Sequence, residues 1–231
     1  MTSVDERSYG ALRNNALSLV FGGLFLLTLG GQAVSGVAQV NAEQRAQGLE
    51  PVGLPDYVTS SSFMVDVMEN WQSEYLQFFL YVFATVWLVQ KGSSESKEPG
   101  QEGTESDREQ RVGERTGKDS PGWAQTGGWR TTLFSRSLGL VMGVLFLLTW
   151  AASAVTGWVA HNSEQLGQRQ DPVSFLGYLG EADFWNRSFQ NWQSEMLAVG
   201  SMAIFAVYLR QRGSPESKPV GAAHADTGAT G

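Results

Sequence analysis

Two stretches without a single charged residue, from Leu17 to about Ala38 and from Leu138 to Val159, constrain this chain more than any other feature. At about 1.5 Å of helical rise per residue, about 20 apolar residues bridge the roughly 30 Å hydrocarbon layer of a bilayer. In lipid every backbone N–H and C=O has to be paired internally, and runs of this length achieve that as helices rather than as barrel strands. The core helix of a soluble protein is usually shorter and amphipathic, whereas Leu24-Phe25-Leu26-Leu27 continues the first stretch without a polar face. A cleaved signal peptide, with Ala33-Val34-Ser35 as a weak processing site, competes for the first stretch alone. The second stretch copies the first far from the N-terminus, where no signal peptide acts, so both read as spans.

The copying is general: residue n resembles residue n + 121 without a gap over most of the chain. Leu24-Phe25-Leu26-Leu27-Thr28 returns as Leu145-Phe146-Leu147-Leu148-Thr149, and Asn70-Trp71-Gln72-Ser73-Glu74 returns unchanged as Asn191-Trp192-Gln193-Ser194-Glu195. Fixed-period self-similarity marks a repeat architecture. Two shorter apolar blocks, Tyr75–Val89 and Met196–Leu209, reach spanning length when extended back to Trp71 and Trp192. The expected fold is therefore an all-α integral membrane protein with four transmembrane helices, arranged as two tandem parallel two-helix repeats.

The expected organisation is an N-terminal arm at 1–11, a first membrane repeat at 12–92, a linker at 93–132, a second repeat at 133–213 and a tail at 214–231. The linker is rich in Gly, Ser, Glu and Arg and too poor in apolar residues to offset chain entropy, so linker and tail are expected to be disordered. Gly113 to Lys118 resembles a phosphate loop only loosely. It is one residue short and Asp119 stands where a hydroxyl is required, so the motif is rejected. Trp123 and Trp129 read as anchors at the membrane surface.

Lysine and arginine set membrane orientation. The loop after the first span holds only Arg45, and that after the third holds Arg169 and Arg187. The central segment carries eight basic residues, from Lys91 to Arg136, and both ends of the chain add more. Both termini and the linker are expected in the cytoplasm of a bacterial plasma membrane. Gly92 and Gly213 read as left-handed residues terminating the second and fourth helices. The motif Gln-Lys/Arg-Gly-Ser-x-Glu-Ser-Lys that contains them reads mainly as a stop signal, with a lipid-headgroup or phosphate role as the minor alternative.

The chain has no cysteine and two histidines far apart, His161 and His224, so neither a disulfide nor a metal site is expected. A net charge of -7 without a clustered basic face argues against nucleic acid. No nucleophile–base pair is visible, so no enzyme and no cofactor are expected. Ser62 and Asp183 read as N-caps of the second helix of each repeat. Asn70, Ser73 and Glu74, with Asn191, Ser194 and Glu195, fall at i, i+3 and i+4 and form the candidate polar or ion site. Trp71 and Trp192 read as interface anchors. Aligning the spans at mid-membrane puts Glu74 about 5 Å inside the outer boundary, beside Ser35 and Gly36, and Glu195 beside Thr156 and Gly157. The competing explanation is an interfacial helix entry with no functional role. Asn41, Glu43 and Gln44, with Asn162, Glu164 and Gln165, are expected to extend each first helix and bond the facing one. Small-residue pairs, Gly139 with Gly143 and Ser18 with Gly22, allow close packing within one bundle, the use expected here, or between copies in a homo-oligomer.

Leu24–Thr28, Asn41-x-Glu43-Gln44, Asn70–Glu74 and Gln211-Arg212-Gly213-Ser214-Pro215-Glu216-Ser217-Lys218-Pro219 together make the chain resemble a bacterial family of multi-pass membrane proteins known only as a domain of unknown function. The first copy departs at Ser94 and Glu98, where the second has Pro215 and Pro219. The resemblance implies a multi-pass architecture and supplies no activity or ligand. The expected role is accordingly structural or accessory, with the lipid bilayer as partner. The alternative is a small channel or carrier for a cation or small solute, using Glu74 and Glu195.

Overall fold

The structure, a computed structural model, describes residue 10 and residues 12–228. Most of the arm expected at 1–11 lies outside the described residues. Among those described there is helix and no strand. The chain divides into two compact units, Met1–Met64 and Val65–Gly231. The long helices are α1 (Ala16–Ala46), α3 (Ser61–Trp87), α6 (Ser137–Gly167) and α8 (Ala182–Tyr208). Short helices are α2 (Leu54–Val58), α4 (Gly122–Gln125), α5 (Gly128–Phe134) and α7 (Phe175–Tyr178). The openings of α6 and α8 follow those of α1 and α3 by the sequence period of 121, and their ends do the same.

Two helices, α1 and α6, are long and apolar enough to cross a membrane. Helix α1 carries no buried residue, and α6 leaves Leu138, Val141, Val144, Leu147 and Leu148 exposed. Contiguous apolar surface on this scale requires a non-aqueous partner.

Each first helix stops in the same way. Gly48 N donates to Arg45 O (3.1 Å) and Leu49 N to Gln44 O (2.8 Å), with Gly48 at φ 73°. This is a Schellman end, in which a left-handed residue lets two orphan carbonyls be met. Arg169 takes the equivalent place at φ 61°, with Arg169 N on Leu166 O (3.0 Å) and Gln170 N on Gln165 O (2.8 Å). The returning chain is then clamped. Asn41 Oδ1 accepts from Val52 N (2.7 Å) and its Nδ2 donates to Val52 O (3.0 Å); Asn162 does the same with Val173 (2.8 and 3.0 Å). The asparagines thus hold the loop, not a facing helix as expected, because the side chain offers one donor and one acceptor in the geometry of a strand partner. Inside each turn a tyrosine hydroxyl sits on a glycine, Tyr57 on Gly36 and Tyr178 on Gly157.

The second helices open differently from expectation. Ser60, not Ser62, caps α3, its hydroxyl accepting from Phe63 N (3.3 Å). Glu181 precedes α8 as its N-cap residue, which places Asp183 inside the first turn. They also end earlier. Leu209 is already extended, and Gly92 and Gly213 (φ 88° and 82°) lie beyond the helices, in the turns that follow. At α8 the Arg210 guanidinium explains the early stop: its Nη1 donates to Val207 O (3.1 Å) and Leu209 O (2.8 Å), meeting carbonyls the helix leaves open.

The two Gly-Ser-x-Glu-Ser-Lys motifs fold alike. Ser96 Oγ accepts from Gln90 N and Ser217 Oγ from Gln211 N, both at 2.9 Å. Glu95 N and Glu216 N each donate to the serine two places before, both at 3.2 Å. Residues 93–132, expected to be disordered, are described as turns with a 3-10 turn at Gly113–Arg115 and the helices α4 and α5. Trp123 and Trp129 meet edge to face there, 6.1 Å apart.

Within the second unit α6 runs antiparallel to both α3 and α8. A Cβ on Gly157 would lie 3.3 Å from Val65, one on Gly143 3.1 Å from Phe79, and one on Gly139 3.9 Å from Val82. Trp150 Nε1 donates to Ser188 Oγ (3.3 Å), and the Phe146 ring stands 6.3 Å from Trp192. The Gly139/Gly143 pair therefore serves packing inside the chain. Tyr178, Phe184 and Ala154 form the buried cluster, enclosed by Trp150, Trp158 and Phe175.

Candidate functional site

The polar residues of α3 and α8 gather along the seam between these helices. At one end, Arg187 Nη1 pairs with Glu69 Oε1 (3.3 Å) across the seam, and Nε pairs with Asp183 Oδ1 (3.1 Å) one turn back. Tyr178 Oη donates to the same Asp183 (3.3 Å). Burial pushes the Tyr178 phenol up, with Asp183 adding to the rise. Asp66 is the first-copy counterpart of Arg187, so the two copies carry opposite charges at one position.

Further along, Gln72 is 0% exposed. Its Oε1 accepts from Trp192 Nε1 (2.9 Å), which turns the amide towards α8, while its Nε2 has no acceptor among the described residues. A buried amide N–H left without a partner costs about 1–3 kcal/mol, so the position asks for an acceptor. Ser73, 2% exposed, donates to Asn70 O (2.9 Å) and lies 3.5 Å from Glu195 Oε1. Glu74 stands within electrostatic reach of Glu195.

These groups lie deeper than the sequence alignment of spans predicts. Trp192 is level with Phe146, so Glu195, one turn on, is level with residues around Gly143 rather than with Thr156 and Gly157. Val65 and Phe79 bracket Glu74, which falls level with the middle of the apolar stretch of α6. Glu195 departs from the expectation because that centred the apolar blocks, whereas α3 and α8 each begin about four turns before their blocks and pack through that polar length. The Trp192 N–H is spent on Gln72 and its ring packs against Phe146, Trp150 and Phe189. Trp71, one residue before Gln72, occupies the same depth on α3.

Of the six predicted site residues, the structure brings together Ser73, Glu74 and Glu195. Asn70 donates back to Asp66 O (2.8 Å), Asn191 to Arg187 O (2.9 Å) and Ser194 to Asn191 O (2.8 Å), all within their own helices. Gln72, Glu69 and Arg187 were missed. The intact repetition of the five-residue motif flagged Gln72, and the Asp66/Arg187 charge swap was readable from the aligned copies.

Towards the C-terminal ends of α3 and α8, a cavity of about 280 Å³ is lined by Gln77, Tyr81, Glu95, Ala198, Val199 and Met202. The Tyr81 hydroxyl donates to Glu95 Oε2, and Glu216 of the second motif stands within electrostatic reach of Glu95. The motif lysines are committed elsewhere. Lys218, 1% exposed, donates to the carbonyls of Ala223, His224 and Asp226 (3.1, 3.1 and 3.0 Å), and Lys97 donates to Gly103 O (2.6 Å) and pairs with Glu105 (2.5 Å). Neither ammonium is presented to a phosphate or headgroup, so the minor reading of this motif loses its main donors. Among the described residues no group of three or more His, Cys, Asp or Glu is placed to hold a metal ion.

No curated protein and no solved structure matches this chain. A family model described as a domain of unknown function (DUF6766) matches residues 8–229. That match covers nearly the whole chain, with both copies of the repeated motif and the seam they build, and the chain belongs to this family of domains of unknown function.

Proposed function

We propose that this protein is a small channel or carrier for a cation or small solute in the bacterial plasma membrane, with Glu74 and Glu195 as its central groups. In this reading α1, α3, α6 and α8 are four spans forming two tandem parallel repeats, with termini and linker in the cytoplasm. The protein performs no catalysis. The apolar length of α1 and α6 supports membrane residence, and the lysine and arginine distribution supports the orientation.

The observation that carries the reading is the fully buried Gln72 amide N–H without an acceptor among the described residues, next in sequence to Ser73, whose hydroxyl lies 3.5 Å from Glu195, both level with the apolar stretch of α6. An interfacial helix entry does not need ionisable groups so deep. Such groups inside a membrane face a polar path or each other. A structural or accessory role is the second reading. It is favoured by Glu69–Arg187 and Gln72–Trp192, which tie α3 to α8 whether or not anything passes between them.

Reconstituted protein assayed for flux across a panel of monovalent cations, protons and small neutral solutes separates the two. The carrier reading expects flux that falls at least tenfold in the Glu74→Gln/Glu195→Gln double variant. Folded protein that passes none of the panel leaves the structural role standing. Reporter fusions at both ends and in the linker test the topology, and a signal outside the cell from any of them overturns it.

A further inference from the structure

We infer that the cargo of this seam is the proton, and that Glu95 hands it between the interior cavity and the solvent beyond the ends of α3 and α8. The inference rests on the carrier reading and names its ion. Two cavities meet at this residue. The inner one starts a turn beyond Glu195 and Glu74, at Ala198 and Gln77, and ends at Tyr81 and Glu95. The outer one, about 570 Å³, is lined by Ser94, Glu95, Ser96, Lys97, Thr227 and neighbouring residues. Glu95 lines both and, among the described residues, is the one they share. At about 30 Å³ per water, the inner volume has room for several molecules in a file.

The chemistry at Glu95 fits a proton better than a larger ion. Tyr81 donates its hydroxyl hydrogen to Glu95, and Glu216 stands within electrostatic reach of the same carboxyl, so Glu95 sits in a chain of groups that exchange hydrogens. Burial pushes the Glu95 carboxyl up, the Tyr81 hydrogen bond pulls it back and Glu216 adds to the rise. A metal-like cation would need several converging oxygen ligands. A proton needs only a chain of hydrogen-bonding groups. Gln72 supports the path from the other side: its fully buried Nε2, without an acceptor among the described residues, calls for a water or carboxylate oxygen in the same stretch of the seam as Ser73 and Glu195.

The steps balance. The Glu195 carboxylate takes a proton from a hydronium on its far side, leaving water, and passes it to cavity water. That water passes a proton to the Glu95 carboxylate, which releases it through the outer cavity. Each transfer breaks one O–H bond and makes another, nothing is oxidised, and one positive charge moves.

The full chain reconstituted in phospholipid vesicles, with a trapped pH dye and a potassium diffusion potential set by valinomycin, tests this. Wild type should change the lumenal pH at a protein-dependent rate. Glu95→Gln, which keeps the shape and loses the exchangeable carboxyl proton, should lower that rate at least tenfold, and Tyr81→Phe should lower it several-fold. Should Glu95→Gln fail to run as a monodisperse species in detergent, Glu95→Asp replaces it and must retain proton flux at a reduced rate. Proton flux lost in Glu74→Gln/Glu195→Gln but unchanged in a folded Glu95 variant overturns the assignment of Glu95 and leaves the carrier reading intact. Flux of sodium, potassium or a neutral solute without protons overturns the choice of ion alone. No flux of any kind overturns both.

Discussion

Asn70–Glu74 and Asn191–Glu195 are the same five residues at the same register of equivalent helices, yet they meet different surroundings. Gln72 and Ser73 are buried, while Gln193 and Ser194 are exposed; Glu74 is exposed and Glu195 half-buried. In the first copy Gln72 receives a hydrogen bond from a tryptophan of the second copy, Trp192. Opposite charges at one aligned position, Asp66 and Arg187, separate the copies further, and Arg187 bonds Glu69 across the seam. Duplication supplies two equal motifs. Divergence around them sets which face of each helix turns inward, so one copy gives the buried amide oxygen and the other the tryptophan N–H that donates to it. A complementary charge pair between copies also disfavours pairing either helix with its own duplicate.

The strongest test of what the copies still share is at the turn glycines. A Cβ on Gly157 would come 2.6 Å from the Tyr178 hydroxyl, and Gly36 lies under Tyr57 in the same way. Gly157→Leu should cost about 3 kcal/mol through overpacking, and Gly36→Leu a similar amount. Thermal unfolding in detergent measures both, and a tolerated leucine in one copy alone would show that the turns have diverged too.

Arg187→Met is expected to have the next largest effect, about 1–3 kcal/mol. It leaves Glu69 buried without its counter-charge, and the part-exposure of Arg187 keeps the cost below that of a deeply buried pair. Thermal unfolding in detergent measures the loss, and a variant as stable as wild type would remove Arg187 from the account.

Gln72→Leu should cost about 1–2 kcal/mol by stranding the Trp192 N–H. Gln193→Leu, on an exposed position, should stay within about 0.5 kcal/mol. Equal shifts in the two variants would abolish the asymmetry on which the seam is built. The smallest effect belongs to the helix ends. Arg169→Gly should stabilise by about 0.5–1 kcal/mol, because a left-handed arginine carries a penalty that glycine escapes, and Gly48→Arg should lose a similar amount. Paired melting curves resolve the sign.

Much of the fold was legible in the residues. Charge-free length marked α1 and α6, the period of 121 predicted where α8 begins and ends once α3 is known, and Asn41 and Asn162 announced themselves as matched polar positions. The site was legible only in outline. The intact motif pointed to the right turn of each helix, but i, i+3 and i+4 spacing selected Asn70 with Glu74, whereas the face turned to α8 is that of Glu69, Gln72 and Ser73. Spacing tells which residues share a face, and it is silent on what that face meets.

The sequence by itself determined helix type, apolar length, the duplication and the charge bias of the loops, because these are properties of local composition against water and lipid. Only the tertiary structure decided depth and pairing. How far α8 slides along α6 is fixed by contacts such as Trp150 with Ser188 and Phe146 with Trp192, between residues far apart in the chain. The meeting of Glu95 with Tyr81 and Glu216 likewise depends on two motifs folding back to one place. Such contacts are set by the shapes of several helices packing at once, and no single window of residues encodes them.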